Sequence, residues 1–265
     1  MKKILSNIYM TLIFIFLYAP IIVMMVFSFN SSKSRVKWDG FSLKWYESLF
    51  EDEEIFSALV LSLEVAVIAA IFATIIGLIG AIGIFHLNKR LKNTMMTLNS
   101  IPMVNPEIVT GVSLMLLFVA LCKALGFMEM GFTTLVFAHI MFCVPYVVLS
   151  IMPKLRQMNP HLYEAAQDLG CPPLKAFTKV VLPEIMPGVV TGMMMAFTLS
   201  LDDFIISYFV GGETQTLPVL IFSMTKKHVK PNMFALTSLF FIVILVLLVT
   251  VNVRQMKDES KKRAF

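Results

Sequence analysis

Long apolar stretches alternate with short polar ones along this chain. The apolar stretches fall at about 4–29, 58–85, 97–122, 134–152, 188–210 and 234–253. Each is long enough to cross a bilayer as a helix, which takes roughly 20 residues at ~1.5 Å per residue. The pattern predicts an all-α membrane protein with six transmembrane helices in a single domain, 1–265. The first stretch follows Lys2 and Lys3 as a signal sequence would. It is too long for one and lacks a small-residue cleavage site before Asn30, so it reads as a retained span. In the following loop, Trp45-Tyr46-Glu47-Ser48-Leu49-Phe50 has an aromatic, apolar side suited to a short interfacial helix. Trp45 fits either an interfacial belt or the mouth of a pathway.

Composition agrees with the pattern and excludes a separate soluble core. Apolar residues make up 58% of the chain and charged ones 15%, and the mean hydropathy is +0.82. With the N-terminus inside, cytoplasmic segments hold 14 of the 22 Lys and Arg and outer segments hold 8. That bias puts both termini in the cytoplasm. The net charge of +5 then reflects topology and anionic headgroups rather than nucleic acid. Cys122, Cys143 and Cys171 show no paired spacing, so neither a disulfide nor a metal site is expected. His139 and Cys143 share a helix face, read as helix packing. No Gly-x4-Gly-Lys-Ser/Thr phosphate loop is present, so the chain is not expected to hydrolyse ATP itself.

Small residues mark close helix contacts. Ala69, Ala73, Gly77 and Ala81 recur every fourth residue in the second span, and Gly188 and Gly192 repeat the device in the fifth. Contact within the chain is the expected use, ahead of contact with a second membrane subunit.

A polar island at 153–187 interrupts the apolar pattern. Asn159 with Pro160 behind it can cap a helix that carries Glu164 near its N-terminal end and ends at Gly170. Pro172 and Pro173 can open a second helix through Leu182, and Pro183 and Pro187 are expected to separate it from the next span.

Acids inside the spans are the candidate path residues, because a carboxylate near a helix centre costs about 2.5–3.5 kcal/mol. Glu107 follows Pro106, which is expected to kink the third span and leave Glu107 near the midplane, ~15 Å along from residue 97. Ser200, Asp203 and Ser207 share a face of a continuous fifth helix, and Asp202 points about 100° away. With no Lys or Arg inside the spans as drawn above, the negative lining suits a cationic solute. Which of Asp202 and Asp203 faces the path stays open, with the shared stripe favouring Asp203.

Glu164-Ala165-Ala166, three residues, Gly170, nine residues, then Val180-Val181-Leu182-Pro183 resembles the coupling loop of ABC-importer permease subunits, with Val180 where Ile is more common. Phe27-Ser28-Phe29-Asn30-Ser31-Ser32, Trp45-Tyr46, Pro106-Glu107-Ile108-Val109 and Leu199-Ser200-Leu201-Asp202-Asp203 are similar to the permeases of bacterial spermidine/putrescine importers, and the likeness extends over nearly the whole chain. Glu107 stands where an Asp is expected.

The resemblance implies a type I ABC importer permease fold in a bacterial inner membrane, moving polyamines inward by alternating access. Its implied partners are a homologous second permease subunit, two ATP-binding cassette subunits, an extracytoplasmic polyamine-binding protein and the lipid bilayer. ATP and Mg would be bound by the partner ATPases, and this chain would need no cofactor. Glu164, Ala165, Ala166, Gly170, Leu182 and Pro183 would couple to the ATPase, with Trp45, Glu107, Ser200, Asp202, Asp203 and Ser207 along the path. Spermidine against putrescine, and a hetero- against a homodimeric permease pair, stay open. A permease for another cationic or small solute is an alternative. A proton-coupled secondary transporter using the same acids is a second, but it leaves the hairpin without a role.

Overall fold

The structure, a computed structural model, describes residues 2–32, 37–126, 129–227 and 232–263. Lys33, Arg35 and Lys230, counted among the outer basic residues above, lie outside these. In chain order the helices are α1 (Lys2–Ser28), α2 (Lys44–Phe50), α3 (Glu53–His86), α4 (Lys89–Val104), α5 (Glu107–Leu125) and α6 (Phe132–Gln157). There follow α7 (Leu162–Asp168), α8 (Pro173–Ala176), a π-helical turn (Phe177–Val181), α9 (Leu182–Asp202), α10 (Ile205–Val210), α11 (Leu217–Lys227) and α12 (Asn232–Arg263). Among the described residues six helical stretches are long and apolar enough to span a membrane: Ser6–Ser28, Glu53–His86, Glu107–Ala124, Phe132–Gln157, Pro173–Asp202 and Asn232–Thr250.

The chain divides into two compact units, Met1–Ala58 with Leu220–Phe265, and Leu59–Val219. In the first, α12 packs against α1 and α2. Asn30, after α1, organises the loop that follows. Its amide donates to the Lys37 carbonyl (2.7 Å), its side-chain oxygen accepts from Asp39 N (3.0 Å), and its carbonyl accepts from the Trp45 indole (2.7 Å). Phe29 stacks on Phe41 of the same loop and on Tyr46 of α2.

The second unit is built around α6, the helix with the most continuous buried face. The small-residue stripes serve it. Ala69, Ala73 and Ala81 are fully buried, and a Cβ at Gly77 would lie 2.6 Å from Val147 Cγ1. On α9, a Cβ at Gly188 would lie 2.9 Å from the Ser150 carbonyl, and one at Gly192 would lie 3.2 Å from Val147 Cα. Both stripes therefore make contacts within the chain, with α6 backbone or its Val147 filling the space that larger side chains would need.

Three helix boundaries differ from the sequence expectation. The third span does not run through Pro106 with a kink: α4 ends at Val104, Asn105 is extended (ψ 137°), and α5 begins at Glu107. The Pro106 ring disfavours the helical conformation at Asn105 and supplies no N–H to an α-helical ladder, and here the chain stops rather than bends. The count from residue 97 therefore does not apply, and Glu107 sits at a helix N-terminus. The fifth span likewise ends at Asp202, where Asp203 turns extended (φ −67°, ψ 122°) before α10. Conversely, Pro183 and Pro187 do not separate a hairpin helix from the span. The chain is helical from Pro173 through Asp202, and in the π turn the Leu182 N–H reaches back five residues to the Phe177 carbonyl. That shift of register accommodates a proline that cannot donate in the α pattern.

Candidate functional site

The polar hairpin keeps its expected end and loses its expected start. Asn159 does not cap α7. Its side chain accepts from His161 N (3.0 Å) and its carbonyl from Leu162 N (3.2 Å), closing a turn over Pro160 before α7 begins. Gly170 stands at φ +82°, with its N–H donating to the Gln167 carbonyl (2.8 Å) and the Cys171 N–H to the Ala166 carbonyl (3.1 Å). This is a Schellman termination, with the glycine in the left-handed position it requires. Because α6 extends through Gln157 and α9 starts at Leu182, the hairpin proper is 158–181, shorter than 153–187. Ala176 is fully buried where α8 leads into the π turn, and Ala165 and Glu164 are exposed. Glu164 pairs with His161 at 3.3 Å in solvent, an arrangement worth little to stability. Pro183 is exposed and Leu182 half-buried, both already inside the long helix. The hairpin also carries two apolar side chains that the coupling pattern did not single out, Leu169 at 90% exposure and Leu174 at 76%. Leucines left bare on a polar hairpin are the signal that would have found them.

At the other end of α9 the carboxylates part company. Asp202 is exposed, whereas Asp203 is 8% exposed and faces inward. The Asp203 carboxylate accepts from Ser207 N (2.7 Å) and Ile206 N (3.4 Å), capping the first turn of α10. His139 of α6, 1% exposed, lies between them: its Nδ1 is hydrogen-bonded to the Ser200 hydroxyl (2.6 Å) and its Nε2 to the Ser207 hydroxyl (3.0 Å), with Asp203 Oδ2 at 3.5 Å. A hydroxyl can donate or accept, so either ring tautomer is satisfied. Ser200, Asp203 and Ser207 are thus brought together, but around a histidine and across a helix break rather than along one continuous helix face. His139 was read as packing. A polar ring inside an apolar span was the available signal.

Glu107 is exposed in the first turn of α5, where its charge complements the free N–H groups of the helix start. One turn on, a Cβ at Gly111 would lie 2.9 Å from Phe209 Cδ2, so α5 and α10 are in close contact. Trp45 is buried (9% exposed), its indole committed to Asn30, so it staples the loop after α1 instead of presenting a free face.

The family described as binding-protein-dependent transport system inner membrane component matches residues 73–257. Putrescine transport system permease protein PotI of Escherichia coli (strain K12) is 43% identical over 229 residues, 85% of this chain and 82% of that protein. Spermidine/putrescine transport system permease protein PotC of the same strain is 38% identical over 242 residues, 91% and 90% of the two chains. Among solved structures, a bacterial ABC transporter involved in the import of the acidic polysaccharide alginate matches with a TM-score of 0.72 at 15% identity, covering 96% of this chain and 95% of that one.

Proposed function

Because this chain belongs to the family of binding-protein-dependent transport system inner membrane components, we propose that it is the permease subunit of an ATP-driven importer that carries polyamines into the cell by alternating access. The observation that carries the reading is the likeness to two proteins named for putrescine and for spermidine/putrescine transport, at 43% and 38% identity over most of each chain. Two exposed carboxylates, Glu107 and Asp202, agree with a cationic solute.

The whole chain, 1–265, serves as one permease domain in a bacterial inner membrane. Both termini and the 158–181 hairpin face the cytoplasm on the basic-residue bias. Each chain offers one hairpin, so two ATP-binding cassette subunits call for a second, homologous permease, and an extracytoplasmic binding protein delivers the solute. ATP and Mg belong to the ATPases.

The substrate class is tested by uptake of labelled putrescine and spermidine into vesicles holding the reconstituted complex. Glu107→Gln and Asp202→Asn should each weaken apparent affinity by roughly 5- to 150-fold, the equivalent of about 1–3 kcal/mol of lost attraction, while assembly is kept because both side chains are exposed. Unchanged uptake kinetics in both variants at equal yield would remove the cationic path.

Coupling is tested at Gly170. Space is not the obstacle, since an added Cβ there has no atom within 4 Å. The obstacle is φ +82°, which costs an L-residue about 1–2 kcal/mol and a β-branched one more. Gly170→Val should therefore release the ATPase during co-purification, and retention at wild-type stoichiometry would count against the dock.

A further inference from the structure

We propose that His139 is a positioning residue for the transport path, holding the break between α9 and α10 without touching the solute. The inference rests on the reading above that Asp202 and Glu107 line that path.

The break is gripped on both sides from α6. Ser200 lies in the last turn of α9 and Ser207 in α10, and one imidazole is bonded to both, at 2.6 and 3.0 Å. Five residues earlier on α6, the Thr134 hydroxyl donates to the Val210 carbonyl at the end of α10 (2.8 Å). Ser200, Asp203, Ser207, Thr134 and His139 are all buried, so none of these bonds has water as a ready substitute. At the same junction Asp203 leaves the helical conformation and caps α10.

The arrangement sets where the exposed acids stand. Asp202 is the last residue of α9, immediately before the gripped break, and its direction follows the pitch of that final turn. α10 continues from the break into close contact with α5, where Phe209 and Ile205 lie against Gly111, one turn from Glu107. A ring that fixes both sides of the break therefore fixes the placement of both carboxylates, although it is itself sealed from solvent. Helix packing alone would be met by any side chain of the same volume. Two hydroxyls aimed at the two ring nitrogens are not.

The test uses the complete complex with Cys122, Cys143 and Cys171 replaced and a single cysteine introduced by Asp202→Cys. Its labelling rate by a membrane-impermeant thiol reagent reports the placement of position 202, and Glu51→Cys, exposed just after α2 and away from both the hairpin and the junction, is the control. Adding His139→Leu should change the rate at 202 by roughly tenfold, the equivalent of one buried hydrogen bond to the junction, and leave the rate at 51 unaltered. In the background that keeps Asp202, His139→Leu should raise the apparent KM for uptake by a similar factor, and His139→Gln, which retains an N–H within reach of Ser207, should recover most of it.

Should His139→Leu fail to assemble, Ser207→Ala carries the same expectation, since it removes one hydroxyl and no volume of consequence. Rates at 202 and KM values within twofold of the unmodified protein would overturn the proposal, as would equal changes at 202 and 51. The labelling arm needs no transport. A complex that imports no polyamine at all would therefore defeat the functional reading while still deciding the role of His139.

Discussion

Gly188→Val should prevent the second unit from folding, and Gly83→Val, on the same kind of helix, should be tolerated. At Gly188 even a Cβ would stand 2.9 Å from the Ser150 carbonyl, 2.9 Å from Lys154 Cγ and 3.3 Å from Ile151 Cα. Two of these three atoms are backbone of α6, whose neighbouring Ile151 and Leu155 are buried, so α6 has nowhere to retreat. Overpacking of that kind costs about 1–3 kcal/mol when side chains can yield, and more where backbone must move. Valine brings two further carbons into the same space. Gly83, with no atom within 4 Å of a built Cβ, pays no such cost and gains helix propensity of some tenths of a kcal/mol. The measurement is the thermal midpoint and yield of the detergent-solubilised protein. A Gly188→Val midpoint equal to that of Gly83→Val would mean that the α6–α9 contact is looser than the structure has it.

Asp203→Asn should lower stability and uptake together, whereas Asp202→Asn should lower uptake alone. The Asp203 carboxylate offers one oxygen to Ser207 N and the other to Ile206 N. A carboxamide has only one acceptor oxygen, so one buried N–H loses its partner or faces an N–H₂, at about 1–3 kcal/mol. Loss of the cap at the start of α10 falls in the same range, about 0.5–2 kcal/mol. Judged from spacing alone, neutralising Asp203 should be the severer loss for transport and harmless to the fold. Burial reverses the second half of that expectation. A melting curve separates the cases: an Asp203→Asn variant as stable as the unmodified chain but deficient in uptake would make Asp203 a charge in the path, and would remove its assignment as a cap.

What could be read from sequence depends on how local the information is. The six spans follow from apolar length, and the end of the hairpin follows from Gly170, because a left-handed residue and its two hydrogen bonds involve only residues 166–171. The stop at Asn105 is local only in part, since the residue before a proline is biased away from the helical region, yet Leu182 and Met186 before Pro183 and Pro187 stay helical. The small-residue stripes announced close contact but not with what, and α6 is the answer for both.

Other features were open until distant segments met. A proline inside a helix can end it, kink it or be absorbed by a π turn, and these alternatives differ little in local energy. At Pro183 the choice falls to the tertiary structure: Gly188 and Gly192 need an unbroken α9 laid along α6, and the register shift at 177–181 is the solution that keeps it unbroken. The inward turn of Asp203 was equally hidden, because the groups that make a break at 203 favourable include a histidine 64 positions earlier in the chain. Period and propensity determine which segments enter the membrane as helices. Which carboxylate is buried, and where a helix must stop, is decided by polar partners that only the packing of α6, α9 and α10 brings within hydrogen-bonding distance.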